Sequence, residues 1–347
     1  MVDAVTHLLR TGRKAARLAL GVRSRWPREV QVEVTNRCNL DCGMCPRRSV
    51  LGVPEVDMSR ETFAAVLGRL RSPEAITLTG WGEPLMHPEL LELLDLAAAR
   101  FPGAALAFTT NGHLLTERVA ERVLERPLRR VTVSLEELPW DDEPAGEPPG
   151  PGHGPSPKAA RNVRAFLARR RALAAAGRRV PEARLQVVLF PGSQATLLRL
   201  VDFAAEAGFD VVNLVRLDVR GRPDLARPTW EEERRLIAAA RRRARSRGVA
   251  LAAVNDHGPF LRLASRGDRF CVRLDSFVYV DVAGRVAPCC LLRDHHLGDL
   301  RRQTLAEVWA SPEARRFHGP RPHPACDGCD AFRRCYAPVA RPAEVAS

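Results

Sequence analysis

The sequence predicts an α/β fold in which a parallel sheet curls into an incomplete barrel, followed by a small cysteine-rich domain. Three observations predict it. Strand-like apolar runs alternate with helical patterns six times between residues 30 and 247. Successive β-then-α units imply right-handed crossovers and one parallel sheet, and six of them close only part of a barrel. The nine cysteines fall into two groups, Cys38, Cys42 and Cys45 near the start and six after position 270, with none between. The alternation stops after about residue 255, where the cysteines take over.

The elements follow in order. Residues 4–26 read as a basic amphipathic helix within an N-terminal segment, 1–29; it suits docking against the barrel, with weak contact to a membrane surface as the alternative. The strand runs are 30–34 (VQVEV), 75–79, 105–110, 130–135, 184–190 and 211–217. Helical patterns cover 59–70, with Ser59 as N-cap, then 87–100, 116–125, 158–176, 194–207 and 229–247. Residues 139–157 hold seven prolines and four glycines, so they are neither helix nor central strand. Because the alternation resumes beyond them, they read as a flexible insertion after the fourth strand of a barrel domain spanning 30–255. Residues 256–347 form the C-terminal domain, with a hairpin expected over Phe277–Val282 and Val286 about Ala283-Gly284.

Composition narrows the class. The 347 residues are 45% apolar, enough for one or two cores, and no apolar run reaches the roughly 18 residues of a membrane span. A signal-peptide core is missing from the N-terminal stretch, so a cytoplasmic enzyme is expected. The net charge of +13 would suit nucleic acid. However, all but two of the 54 basic residues are arginines (the lysines are Lys14 and Lys158), a bias typical of GC-rich coding, and they are scattered over several helices. A nucleic-acid partner is therefore not expected. Tight cysteine clusters in such a chain point to metal and not to disulfides.

Cys38-Asn-Leu-Asp-Cys42-Gly-Met-Cys45 follows the first strand directly. Thiolates spaced by three and then two residues on a loop suit three corners of a cubane iron–sulfur cluster, whereas tetrahedral zinc needs a fourth ligand and none lies nearby. The fourth iron stays open. Here the sequence resembles the radical S-adenosylmethionine (SAM) superfamily, whose signature is this C-x3-C-x2-C after the first strand of a partial (β/α)6 barrel. Met44 stands where the family usually has an aromatic residue, and its soft thioether can pack in the same place. Further segments fall in order on later strands. Thr79-Gly80-Trp81-Gly82-Glu83-Pro84 resembles the Gly-Gly-Glu segment that holds the SAM amino group, with Gly80 and Gly82 permitting close approach and Glu83 supplying charge. Asn111 lies in a Thr-Thr-Asn-Gly loop typical of the family. Ser134 and Glu136 stand where the family often places polar contacts to ribose and carboxylate, and the resemblance puts Asn213 on the strand that usually lies along the adenine.

The C-terminal part resembles the SPASM/twitch extension of such enzymes. Cys271, Cys289, Cys326 and Cys329 are the expected ligands of one auxiliary [4Fe–4S] cluster, with Cys335 competing for any of the last three places. The second cluster of a full SPASM domain is not expected, since Val339 replaces one of its cysteines and none follows Cys335. A four-thiolate zinc knuckle is the alternative. Cys290, beside a ligand, reads as packing or as a hydrogen-atom donor to a substrate radical, and His295 and His296 as surface residues.

The resemblance implies that one electron from the first cluster cleaves SAM to a 5′-deoxyadenosyl radical, which abstracts hydrogen from an unactivated C–H bond. A fully ligated auxiliary cluster would accept the second electron, giving a dehydrogenation. Only 29 residues precede the first strand, so a fused peptide-leader domain is not expected. The expected substrate is a small polar metabolite of sugar, aminocyclitol or nucleoside type. Peptide maturation or radical epimerisation are the alternatives, and flavodoxin or ferredoxin the external electron donor.

Overall fold

A computed structural model describes residues 26–45, 47, 54–136, 157–217, 219, 225–253, 274, 276–317 and 323–326. The helix expected over 4–26, apart from Trp26, and the Pro/Gly-rich insertion, apart from residue 157, lie outside these, as do Cys271, Cys329 and Cys335.

Seven parallel strands follow the chain in register. They are β1 (Glu29–Val32), β2 (Ala75–Leu78), β3 (Ala105–Thr110), β4 (Arg130–Ser134), β5 (Glu182–Leu189), β6 (Val211–Arg216) and β7 (Ala250–Ala253). Between them run α1 (Arg60–Arg69), α2 (Leu90–Arg100), α3 (Glu117–Leu124), α4 (Pro157–Ala175), α5 (Gln194–Ala207) and α6 (Trp230–Arg247). The fold class is the expected one. Two adjustments matter. The helix expected to start at residue 87 starts at Leu90, because Pro84–Met86 turn as a 3-10 helix first. And β7, a short ALAA run without polar alternation, is a seventh strand beyond the six expected.

Helix ends obey local chemistry. Ser59, Thr116 and Thr229 each accept the backbone N–H three residues on, satisfying donors the first turn leaves orphaned. Alternate strand residues enter the core under the helices: Val30 and Val32, Ile76 and Leu78, Val131 and Val133, Leu185 and Val187, Val212 and Leu214 are nearly all below 2% exposed. Each contributes about 1.5–3 kcal/mol of apolar burial. The intervening residues, Gln31, Thr77, Thr109, Thr132, Ser134, Gln186 and Asn213, point to the opposite, inner face. That face is polar.

The C-terminal segment joins the same sheet. β8 (Phe277–Val280) pairs parallel to β1, Val30 opposite Val278, so β1 lies between β2 and β8. β8 and β9 (Arg285–Ala287) form the expected hairpin, with Gly284 at φ +79°, and β10 (Gly298–Asp299) adds antiparallel to β9. Asp281 builds the turn, its carboxylate accepting N–H from Ala283 and Arg285, both at 2.9 Å. α7 (Leu305–Trp309) carries a capping box between Thr304 and Glu307, and α8 (Pro312–Phe317) follows. Among the described residues, no helix is long and apolar enough to cross a membrane.

Candidate iron–sulfur and SAM site

The C-terminal ends of β1 to β6 carry the site, as the loops after parallel strands do in barrels. After β1 the chain passes through Glu33, Val34 and Thr35 into the cysteine loop, whose base is pinned by the returning segment 54–58. Asn36 exchanges bonds with Pro54 O (3.0 Å) and Val56 N (2.6 Å), and Arg37 pairs with Asp57 at 2.8 Å. Arg47, buried, pairs with Glu55 and donates to Asn36 O at 3.3 Å. The loop turns tightly, with Cys45 N donating to Cys42 O at 2.9 Å. Burial raises the Cys42 thiol to about 12, helped by the nearby charges of Glu136, Cys45 and Cys38. Burial likewise raises Cys38, against which the Leu40 amide and the Arg47 charge act. Binding iron requires these protons to leave.

Among the described residues, no three His, Cys, Asp or Glu side chains converge as a single ion would need. A cubane makes no such demand, since each thiolate binds a different iron. The three thiols share one loop and feel one another's charge, and the donor set fits iron–sulfur chemistry.

The loop after β2 presses on the cysteine segment. Glu83 N donates to Arg37 O at 2.8 Å, and a Cβ on Gly82 would collide with the carbonyls of Thr35 and Arg37. Glu83 is 3% exposed, and its carboxylate accepts N–H from Leu85 (3.1 Å) and Asn111 (2.6 Å). Its carboxylate therefore clips the β2 loop to the β3 loop, a role the sequence did not suggest. Burial raises it to about 7, against the amides of Asn111 and Leu85 and the Thr110 hydroxyl. Asn111 Nδ2 reaches Asn39 Oδ1 at 2.9 Å and Cys38 Sγ at 4.0 Å, so this residue faces the cysteine loop. Ser134 Oγ donates to Glu136 at 3.0 Å, and burial pushes Glu136 up to about 7. Ser134, Gln186 and Asn213 occupy one register row across β4, β5 and β6.

A second set of contacts ties the loop after β2 to the C-terminal segment. Glu33, fully buried at the end of β1, accepts both arms of the Arg293 guanidinium at 3.1 and 2.9 Å. The same carboxylate accepts Trp81 N at 2.9 Å, and a Cβ on Gly80 would overlap its side chain. Trp81 Nε1 donates to the Cys290 carbonyl at 3.3 Å, and Arg293 lies over the rings of Trp81 and Tyr279. Cys289 O accepts from Leu292 N, placing Arg293 directly after the turn of the cysteine pair. Cys326 ends a 3-10 turn packed against the core, and its amide donates to His323 O at 2.8 Å. His295 is half-buried, with its ring edge-on to Phe317 and to His323.

A family model described as the radical SAM superfamily matches residues 32–219, more than half of the chain. The chain belongs to the radical SAM superfamily. A SPASM model, an iron–sulfur cluster-binding domain, matches residues 271–330. The curated GTP 3′,8-cyclase of Microcystis aeruginosa is 35% identical over 118 residues, 32% of this chain and 35% of that protein. The PqqA peptide cyclase of Streptomyces rochei is 29% identical over 196 residues, 56% of this chain and 50% of that protein. The chain thus spans about a third to a half of the length of these curated relatives. Streptococcus suis SuiB bound to S-adenosylmethionine superposes with a TM-score of 0.67 at 17% identity, covering 89% of this chain and 72% of that one. The anSMEcpe structure with AdoMet and a Kp18Cys peptide gives 0.62 at 17%, covering 89% and 88%. This is a radical SAM enzyme with a SPASM domain, and its cofactors are a [4Fe–4S] cluster, an auxiliary iron–sulfur cluster and SAM.

Glu33, Arg293, Gln186 and Tyr279 lie beside the candidate site and were not singled out by sequence reasoning. Glu33 carried one signal, a carboxylate at the end of an otherwise apolar-alternating strand.

Proposed function

We propose that the enzyme removes hydrogen from a C–H bond of a small polar metabolite of sugar, aminocyclitol or nucleoside type, with net oxidation. The observation that carries this is the inner face of the sheet. One register row across β4, β5 and β6 presents Ser134, Gln186 and Asn213, a hydroxyl and two amides, with Asn213 Nδ2 within 3.5 Å of Gln186 Oε1. Such groups match a hydroxyl-bearing substrate or the ribose and adenine of SAM. The GTP 3′,8-cyclases that the chain resembles act, by name, on a nucleotide.

When bound, the first cluster and SAM supply a one-electron cleavage that yields the hydrogen-abstracting group. The residues of this chain bind and orient. Cys38, Cys42 and Cys45 would hold the first cluster, and the Gly80–Glu83 loop, Asn111, Ser134, Glu136 and Asn213 would surround SAM. Cys271, Cys289, Cys326 and Cys329, with Cys335 as a competitor, would hold the auxiliary cluster, which would supply an acceptor for the substrate's second electron.

Peptide modification is the second reading. It is favoured by the PqqA peptide cyclase match, which covers more of this chain than the nucleotide cyclases do, and by the peptide-bound anSMEcpe structure. The deciding experiment incubates reconstituted enzyme, SAM and a reductant with sugar, aminocyclitol, nucleoside and peptide panels. Formation of 5′-deoxyadenosine coupled to loss of a small polar compound supports the first reading. Coupling only with peptides overturns it.

A further inference from the structure

We infer that Arg293 is a positioning residue through which the C-terminal iron–sulfur segment shapes the SAM-binding loop, with Glu33 as the shared post. The inference rests on the assignment of Gly80–Glu83 to SAM made above and adds two residues and a direction of influence to it.

Glu33 touches both sides. One carboxylate oxygen takes the Trp81 amide, and the backbone at Gly80 lies so close that no side chain would fit between it and Glu33. The path of the loop after β2 is thus moulded on this one side chain. Its orientation is set by the two-armed grip of Arg293, which comes from 260 residues further along the chain. Arg293 is 6% exposed and Glu33 0%, so neither group has water as an alternative partner. The indole of Trp81 returns the contact by binding the Cys290 carbonyl. Loop, post and cysteine turn form one hydrogen-bonded unit. A planar fork matches a carboxylate in a way a single ammonium cannot, and breaking a buried pair by removing one partner is far worse than removing both. Any displacement of the Cys289–Cys290 turn therefore reaches the SAM loop, and by linkage SAM binding favours the arrangement of the turn that holds the loop in place.

The test uses anaerobic holoenzyme with its iron content verified and measures the SAM dissociation constant by equilibrium dialysis. Arg293→Met and Glu33→Gln should each raise it about tenfold, within the usual range of site-to-site coupling. The double variant should be no worse than the poorer single, because the pair acts as a unit. A wild-type constant in both singles, or losses that multiply in the double, overturns the inference. If Arg293→Met does not retain its iron, Arg293→Lys takes its place; it keeps the charge without the fork and should weaken SAM about threefold, with an unchanged constant overturning the proposal. Gly82→Ala is the control for the loop itself, since it displaces the loop without touching the pair. Normal SAM binding there would remove the loop assignment and the coupling with it. Weak binding there together with normal binding in the Arg293 variants would remove the coupling alone.

Discussion

Glu83 holds two amides and a hydroxyl on a carboxylate that burial keeps near pKa 7, and its charge state links the site to pH. A carboxyl raised in the folded protein binds its proton more tightly folded than unfolded between 4.5 and about 7. Stability is therefore greatest below that window and falls as pH rises through it, by at most about 3 kcal/mol for this one group. Glu136 titrates in the same window with the same sign. Urea unfolding of the cluster-free protein at pH 5 and pH 7.5 should show this fall, and Glu83→Gln should remove about half of it; an equal slope in the variant would sink the assignment. Cys42→Ala should lose about four irons per chain and all 5′-deoxyadenosine formation while keeping the auxiliary iron. Iron analysis beside a SAM-cleavage assay checks it, and retained cleavage contradicts the ligand role. At this scale the cysteine loop was legible because its spacing is local. Arg293 was not, because its partner lies 260 residues away and neither residue announces the other.

Elements followed their local signals closely. The Ser59 cap and the helix over 194–207 lie where the sequence predicted them, since capping and helical periodicity act over a few residues. β7 was overlooked because ALAA carries no alternation, and its placement comes from pairing with β6. The hairpin was legible from its glycine. Gly284 sits at φ +79° with Arg301 Cγ 3.1 Å from where a Cβ would be, so Gly284→Ala combines backbone strain with crowding. It should destabilise the hairpin by about 1–3 kcal/mol, with hydrogen exchange accelerating in β8 and β9 before the barrel strands. Uniform exchange throughout would show that the hairpin and barrel open together. Thr304→Ala, which removes a capping box, should lower stability by about 1 kcal/mol and leave iron content unchanged in the same assay.

Among the described residues the barrel strands and those of the C-terminal segment share one ten-stranded sheet. Nothing local in FVYV says that it will pair with β1; the pairing is visible only when both strands are placed. The polar inner face was legible in part, through Ser134 and Asn213, whereas Gln186 between them was overlooked because β5 bore no family-like segment. The reconstituted protein should bind about eight irons per chain from two four-iron clusters, measured by iron and sulfide analysis. Saturation near four would refute the auxiliary cluster as assigned, and near twelve would require ligands beyond those named.

The position of β1 also sets a timetable for biosynthesis. The strand that leads into the first cysteine loop is among the earliest described parts of the chain to emerge, yet Ser276, just before its second neighbour β8, follows Glu29 by 247 residues. At about 5–20 residues per second, one edge of β1 stays uncovered for roughly 12–50 seconds during translation. During that interval the loop of Cys38, Cys42 and Cys45 hangs from a strand paired on one side only, and Glu33 still lacks Arg293. Iron delivered to this loop on the ribosome would meet an unfinished site, so stable loading of the first cluster awaits β8 and Arg293.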